Sequence, residues 1–418
     1  MNTSKPSARL TLLTLALLIL FIGVGCVPTR LGTAWPSLRL VNNNILVTYN
    51  DRILLVDAGT GRPVQLTDSN GRVRTTQDGT PVRWELLGQA TQSQFFASPI
   101  LVDDSSDISL VVDYHGKIFN ANLAEACFST PSGSCVDNPP FTAIVGKVYT
   151  EIIADAERLY LPLSEHDVLA LDKASLTEDW RFKTQRGVWS TPLLVGENLY
   201  FAEMGHAFYS LNAANGNMRW QVDLGGAVAA SPIFYDGTPA TDYADDMPKP
   251  TDVAYDLDNG RFYAGTFGRT IVQISMDGAI ENVFNTNDWV WSSPKVVDGI
   301  LYTADLSGTV YALDTNDNLS LIWKQDTQTT GIRARPMVTQ DSVIVVSQNG
   351  VVLWLSRADG SITLRQELNE ETLSDMLYVP PTESRPEGLV VISTINPNRL
   401  LFAFTVQGQQ VWLYPPAS

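Results

Sequence analysis

VWSTPLLVGENLYFAEMGHAFYSLN, from Val188, and VWSSPKVVDGILYTADLSGTVYALD, from Val290, are two copies of one motif. Each runs a small-polar-Pro step, an apolar strand, a turn, a second strand, a turn, and Tyr-x-Leu-Asp/Asn. Trp220 follows eight residues after Asn212, and Trp323 follows nine after Asp314. Self-similarity at a period near ~40 residues identifies a repeat architecture before any local reading does.

With the Pro of that step as a marker, the register extends in both directions. Pro99, Pro192, Pro232, Pro294 and Pro336 mark five units directly. KVYTEIIADAERLYLP from Lys147 aligns on GVWSTPLLVGENLYFA from Gly187, placing Ile152 at the marker. Ser374-Asp375-Met376-Leu377 matches Ala334-Arg335-Pro336-Met337 and places Met376 there. SLRLVNNNILVTYNDRILLVDAGTG from Ser37 supplies the earliest unit, with Arg39 at its marker, for eight units in all. Each unit closes on a large apolar residue: Trp84, Phe141, Trp180, Trp220, Phe284, Trp323, Leu364 and Trp412.

Four short alternating strands per unit, separated by Gly, Asn and Asp turns, read as a meander sheet. One such sheet cannot bury both faces alone, whereas eight arranged radially cover one another and leave only short edges. The predicted fold is therefore all-β, an eight-bladed β-propeller over residues 35–416, with the recurring Trp as the plug between blades. Residues 62–83 and 236–260 read as insertions between strands of the first and fifth units.

The amino terminus reads as an address. Lys5 and Arg9 precede an uncharged run from Leu10 to Val24, and Cys26 follows after Gly25. Fifteen residues is the length of a signal-peptide core and short for a membrane span. Gly23-Val24-Gly25-Cys26 resembles a lipobox, with Gly23 where Leu is usual. Residues 1–25 are thus expected to be a lipoprotein-type signal peptide, Cys26 the lipidated residue, and 26–34 a linker. An uncleaved amino-terminal anchor is the competing reading, and both place the propeller outside the cytoplasm. Cys127 and Cys135, flanking a Ser/Gly/Pro loop in an exported chain, are expected to form a disulfide.

Net charge is −17, and −19 once Lys5 and Arg9 leave with the signal, as 26 basic residues then face 45 acidic ones. So acidic a body is repelled by nucleic acid and by anionic lipid head groups, which excludes nucleic-acid binding. His115, His166 and His206, the three histidines, fall at hairpin turns of consecutive units and read as solvated rather than metal-bridging. The acidic insertion Asp242, Asp245, Asp246, Asp252, Asp256, Asp258 lacks the downstream Glu of a calcium loop and reads as solvated too.

The repeat resembles the PQQ-type β-propeller repeat of quinoprotein dehydrogenases and of BamB-like envelope lipoproteins, from about Ser37 to Trp412. An eight-bladed propeller behind a lipoprotein signal resembles the BamB-like proteins more than the enzymes. That resemblance implies a lipid-anchored, monomeric, non-catalytic scaffold without cofactor, whose partners are envelope or membrane proteins of the outer-membrane assembly machinery. A quinone-dependent oxidoreductase or redox accessory is the alternative. The vicinal Cys-Cys that clamps the quinone in those enzymes is missing from this sequence. A surface glycan or peptide receptor is a further alternative.

The repeat itself points to a binding surface. The residue three before each marker is expected to begin the strand lining the channel, giving Phe96, Tyr149, Trp189, Ala229, Trp291, Arg333 and Leu373. One before the marker stand Ser98, Glu151, Thr191, Ser231, Ser293, Arg335 and Asp375. Aromatics and arginines around a channel mouth suit protein contact, and Phe96, Tyr149, Trp189, Trp291, Arg333 and Arg335 are the candidate partner-binding residues. Packing of these rings between blades is the open alternative.

Overall fold

The computed structural model describes residues 35–88, 93–101, 108–144, 146–238 and 255–415. Cys26, the signal segment and linker, and residues 239–254 of the acidic insertion lie outside the described residues. The strands form eight antiparallel sheets in sequence order: seven are four-stranded meanders, and the second carries a fifth strand. The chain is an eight-bladed β-propeller, whose sixth blade (Lys295–Val297, Ile300–Ala304, Thr309–Asp314, Ser320–Asp326) is among its most regular. Among the described residues no helix is long and apolar enough to cross a membrane.

Burial follows strand position. The second and third strands are apolar on both faces because a blade covers each side, as in Ile300–Ala304 and Thr309–Asp314. The outer strand alternates, as in Met218–Asp223, because one of its faces meets water. Buried side chains gather into eight clusters between neighbouring blades. The cluster that closes the ring joins Ile45, Val47 and Val56 to Val379, Val391 and Trp412. All strands of the first blade come from the amino-terminal side of the chain and all of the eighth from the carboxyl-terminal side. Closure therefore rests on side-chain packing and on bonds such as Tyr49 Oη to the Ile395 carbonyl (2.6 Å), without strand exchange.

The tryptophan plug has a constant geometry. Trp180, Trp220, Trp323 and Trp412 sit opposite small residues of the third strand: Ala170, Ser210, Ala312 and Ala403. Each indole Nε1–H donates to a carbonyl in the next blade's turn between third and outer strands: Ala213, Met276, Arg357 and Ala58. Trp84 does the same to Leu123. These turns contain Gly216, Gly278, Gly360 and Gly61 at positive φ (71°, 86°, 76° and 66°), with the incoming ring where a Cβ would stand.

Three of the eight expected closing residues depart from this pattern. In the seventh blade the pair is exchanged: Leu364 occupies the outer strand and Trp354 the third, and Trp354 Nε1–H reaches the Val406 carbonyl at 2.9 Å. In the fifth blade Asn282 takes the plug position opposite Gln273. Phe284, two residues on, still packs on Tyr311 at 5.7 Å. Phe141 is not a plug. It pairs with Phe119, is 51% exposed, and lies under the Lys117 ammonium, while Ser129 stands at the equivalent position opposite Asn120. The cause is local: the outer strand of the second blade is split into Cys127–Ser129 and Phe141–Ala143, both paired with the third strand. A disulfide joins Cys127, at the start of the first half, to Cys135 in the loop between the halves, with their Cα atoms 5.7 Å apart.

Candidate functional site: the channel mouth

Chain direction separates the two ends of the propeller. Inner strands begin, and second strands end, at one end; the third strands run to the other, where the plug tryptophans dock. The first end carries the mouth of the central channel. A cavity of about 260 Å³ opens there, lined by Phe96, Tyr149, Trp189, Ala229, Trp291, Arg333 and Leu373, together with Trp35.

Trp35 corrects the register of the first unit. Val41 pairs with Asn44 as Val195 pairs with Asn198 and Val297 with Ile300. The position equivalent to Pro192 and Pro294 is therefore Leu38, not Arg39. This one-residue shift makes Trp35 the eighth member of the ring. The ring residues also precede the inner strands, which begin at Leu193, Lys295 and Met337. They stand on the connecting segments at the mouth rather than within the strands.

The ring splits into two contacting groups bridged by Trp35. On one side Trp35, Phe96, Tyr149 and Tyr114 pack together, with Trp35–Phe96 centroids at 5.7 Å and Tyr149–Trp189 at 5.7 Å. The Tyr114 and Tyr149 hydroxyls share a hydrogen bond of 2.8 Å. Burial, with that bond, pushes the Tyr149 phenol up to about 12. On the other side the Arg333 guanidinium lies 3.7 Å from the Trp291 ring centre and 5.6 Å from that of Trp35. Such stacking offsets part of the cost of desolvating a cation. Burial still pulls the Arg333 guanidinium below its usual range, while the Glu371 carboxylate pulls the other way.

Beyond the ring, Trp289 is 47% exposed and stacks on Phe267 at 5.1 Å with planes 12° apart; Phe267 also meets Trp291 at 5.2 Å. Sequence reasoning missed both. The signal for Trp289 was available in Asp288-Trp289-Val290-Trp291: alternation sends Val290 into the core, fully buried, and both indoles toward the mouth. Phe267, in the turn after the fifth blade's second strand, carries no repeat-level signal. An open groove of about 730 Å³ is lined by Asn349, Glu370, Glu371 and Asn396. Its Glu370 is already held by Asn396 and Arg399.

The residues one before each marker do something different. Ser98 N–H donates to the Glu151 carboxylate at 3.0 and 3.2 Å, and Thr191 N–H to Ser231 Oγ at 2.9 Å. Ser231 N–H donates to Ser293 Oγ at 3.1 Å, and Arg335 N–H to Asp375 Oδ1 at 2.7 Å. Each bond crosses from one blade to the next, so this position clasps the inner strands. In the first blade Ser37, at the corrected register, joins Glu151 and Ser98. Arg335 belongs to this clasp and is not among the residues lining the cavity, so it is the one candidate set apart from the other five.

These features define an eight-bladed β-propeller similar to the PQQ-type, BamB-like repeat proteins. Residues 164–262 and 307–415 match the family model described as outer membrane protein assembly factor BamB. BamB from Moraxella catarrhalis is a solved structure of the same fold, with a TM-score of 0.59 at 11% identity over 86% of this chain and 93% of that one. No curated protein sequence matches the chain.

The quinone of the repeat's name is bound together with a cation that needs a cluster of oxygen ligands. Among the described residues there is no cluster of three or more Asp, Glu, His or Cys placed to hold the accompanying cation. Trp35 and the Arg333–Trp291 pair line the cavity at the mouth.

Proposed function

We propose that this protein is an extracytoplasmic, lipid-anchored scaffold that acts by binding other envelope proteins through the channel mouth, without catalysis of its own. The carrying observation is the ring itself. Five of the six candidate residues converge with Trp35 on one mouth, as Trp, Tyr, Phe and Arg side chains. These are the types that dominate interface hot spots. The polar one-before-marker position serves the interblade clasp, and the ring position adds aromatic and cationic groups to the cavity lining. The BamB-like architecture supports a role in outer-membrane protein assembly, with Cys26 as the lipidated residue and residues 1–25 as its signal.

Two experiments test this reading. Crosslinking in native membranes from a photoreactive residue at position 189 is expected to trap an envelope protein, and adduct formation at Phe141, on the outer rim, is not. Metabolic labelling with a fatty-acid analogue is expected to tag the protein and to be abolished by Cys26→Ser. A label that survives the substitution would refute the anchor.

A further inference from the structure

Arg333 is a cation without a paired anion. Its guanidinium lies 3.7 Å from the Trp291 ring centre and 5.6 Å from that of Trp35, and its Nε is buried with no hydrogen-bond partner. Among the described residues Glu371 is the acidic group whose charge acts on it, without an ion pair or a hydrogen bond. Two other carboxylates line the same cavity and are committed elsewhere. Glu151 accepts from Ser37 Oγ and Ser98 N–H, and Asp375 accepts from Arg335 N–H. A guanidinium carries five N–H donors, and an indole face attracts its charge without accepting those in-plane bonds. Desolvated donors left unmet cost free energy, and a bound anion removes that cost. Further donors line the cavity. Ser231 and Ser293 Oγ each accept a backbone N–H, at 2.9 and 3.1 Å, which leaves their hydroxyl protons to donate. Among the described residues neither proton has an acceptor. In ring order the smallest member, Ala229, separates Trp189 from Trp291, so the wall is lowest between two indoles.

We propose that this cavity binds a single carboxylate carried on an apolar body. Arg333 pairs with the carboxylate, Ser231 and Ser293 add hydrogen bonds to its oxygens, and the body lodges between Trp189 and Trp291. One carboxylate, rather than several or a phosphate, follows from charge. Arg333 is the single cation in the lining among the described residues, and a body at −17 repels each further negative charge. Size sets the rest. A volume of about 260 Å³ lies below that of drug-sized pockets and suits a group like one aromatic side chain. Such a group occurs on a small aromatic acid and at the carboxyl end of a peptide with an apolar last residue. The site requires neither the lipid anchor nor an envelope partner.

The test is a calorimetric titration of the full-length protein with phenylacetate and phenylacetamide, and with acetyl-Gly-Gly-Phe bearing a free or an amidated carboxyl end. At least one acid is expected to bind one-to-one with a dissociation constant of about 1 mM or below, the range ordinary ligand efficiencies give for so few atoms. Its amide is expected to bind about tenfold more weakly or worse, because it forfeits the charge-assisted bonds to Arg333. Arg333→Met is expected to erase the difference between acid and amide. Arg333→Lys is expected to keep part of it, since Lys supplies the charge without the fork. Thermal unfolding of each variant shows whether it folds, and the ratio of acid to amide on the unmodified protein stands in either case. Binding of phenylacetate assigns the site to small acids, and binding of the peptide acid alone assigns it to chain ends. Equal affinity for acid and amide, binding of neither acid, or a preference for the acid that survives in folded Arg333→Met overturns the site. No partner protein is present, so this failure is distinct from a loss of partner capture.

Discussion

The ten tryptophans divide between the two ends of the propeller. Trp84, Trp180, Trp220, Trp323, Trp354 and Trp412 lie between blades, each with its Nε1–H on a carbonyl of the neighbouring blade. Trp35, Trp189, Trp289 and Trp291 lie at the mouth, where rings meet other rings and the Arg333 guanidinium. The first group joins six of the eight blades to their neighbours, with Ser129 and Asn282 at that position in the second and fifth. The second repeats only in position, with Ala229 and Leu373 interrupting the aromatics. The mouth position carries Trp, Tyr, Phe and Arg side chains that meet one another across the cavity and are the candidates for recognition. The interblade tryptophan serves the fold: in the seventh blade it moves to Trp354 on the third strand, with Leu364 opposite, and keeps its bond to the next blade.

The largest effect that sharpens this contrast is expected from Trp323→Ala, which removes a plug 7% exposed. It should lower stability by about 3–5 kcal/mol, as large-to-small changes in cores do. Thermal or denaturant unfolding checks it, and a loss under about 1 kcal/mol would break the distinction. Gly360→Ala strikes the same joint from the other side. The backbone there has φ 76°, and a Cβ would lie 2.5 Å from Trp323 Cε3, so a loss of roughly 1–3 kcal/mol is expected in the same assay. Trp354→Phe keeps most of the ring but strands the Val406 carbonyl, and should cost on the order of 1 kcal/mol.

The smallest effect concerns pH. Burial pushes Tyr149, Tyr209 and Tyr263 up to about 12. Above pH 10 the unfolded chain loses phenolic protons that the folded chain retains, so this stability is complete below about 10 and falls as pH rises toward 12. Denaturant midpoints measured across that interval should decline. Tyr149→Phe should reduce the decline only slightly, because the two interior tyrosines remain.

The blade count and the plug were legible in the sequence because each depends on a residue spacing that the repeat preserves. Trp180, Trp220, Trp323 and Trp412 recur at one step of the outer strand, and that step faces the next blade whatever the loops do. Phe141 was misread because the disulfide loop cuts its strand in two, and Ser129, a residue with no apolar signal, holds the plug position. Trp35 was missed by one residue. The first unit has no Pro marker, and the alignment through Arg39 slid the register; only the pairing of Val41 with Asn44 fixes it. Arg335 looked equivalent to Arg333, two residues away on an extended segment. The structure gives the Arg335 backbone to the clasp with Asp375 and the Arg333 side chain to the mouth.

The claim that the mouth recognises a partner while the far end holds the fold meets its most direct test in one variant. Trp189→Ala, Trp291→Ala and Arg333→Ala are combined, and unfolding and partner capture are measured on the same preparation. The account predicts a midpoint close to the unmodified protein, with capture lost, since hot-spot side chains contribute about 2 kcal/mol or more each to binding. A triple variant that unfolds as readily as Trp323→Ala, or that still captures its partner, would contradict it.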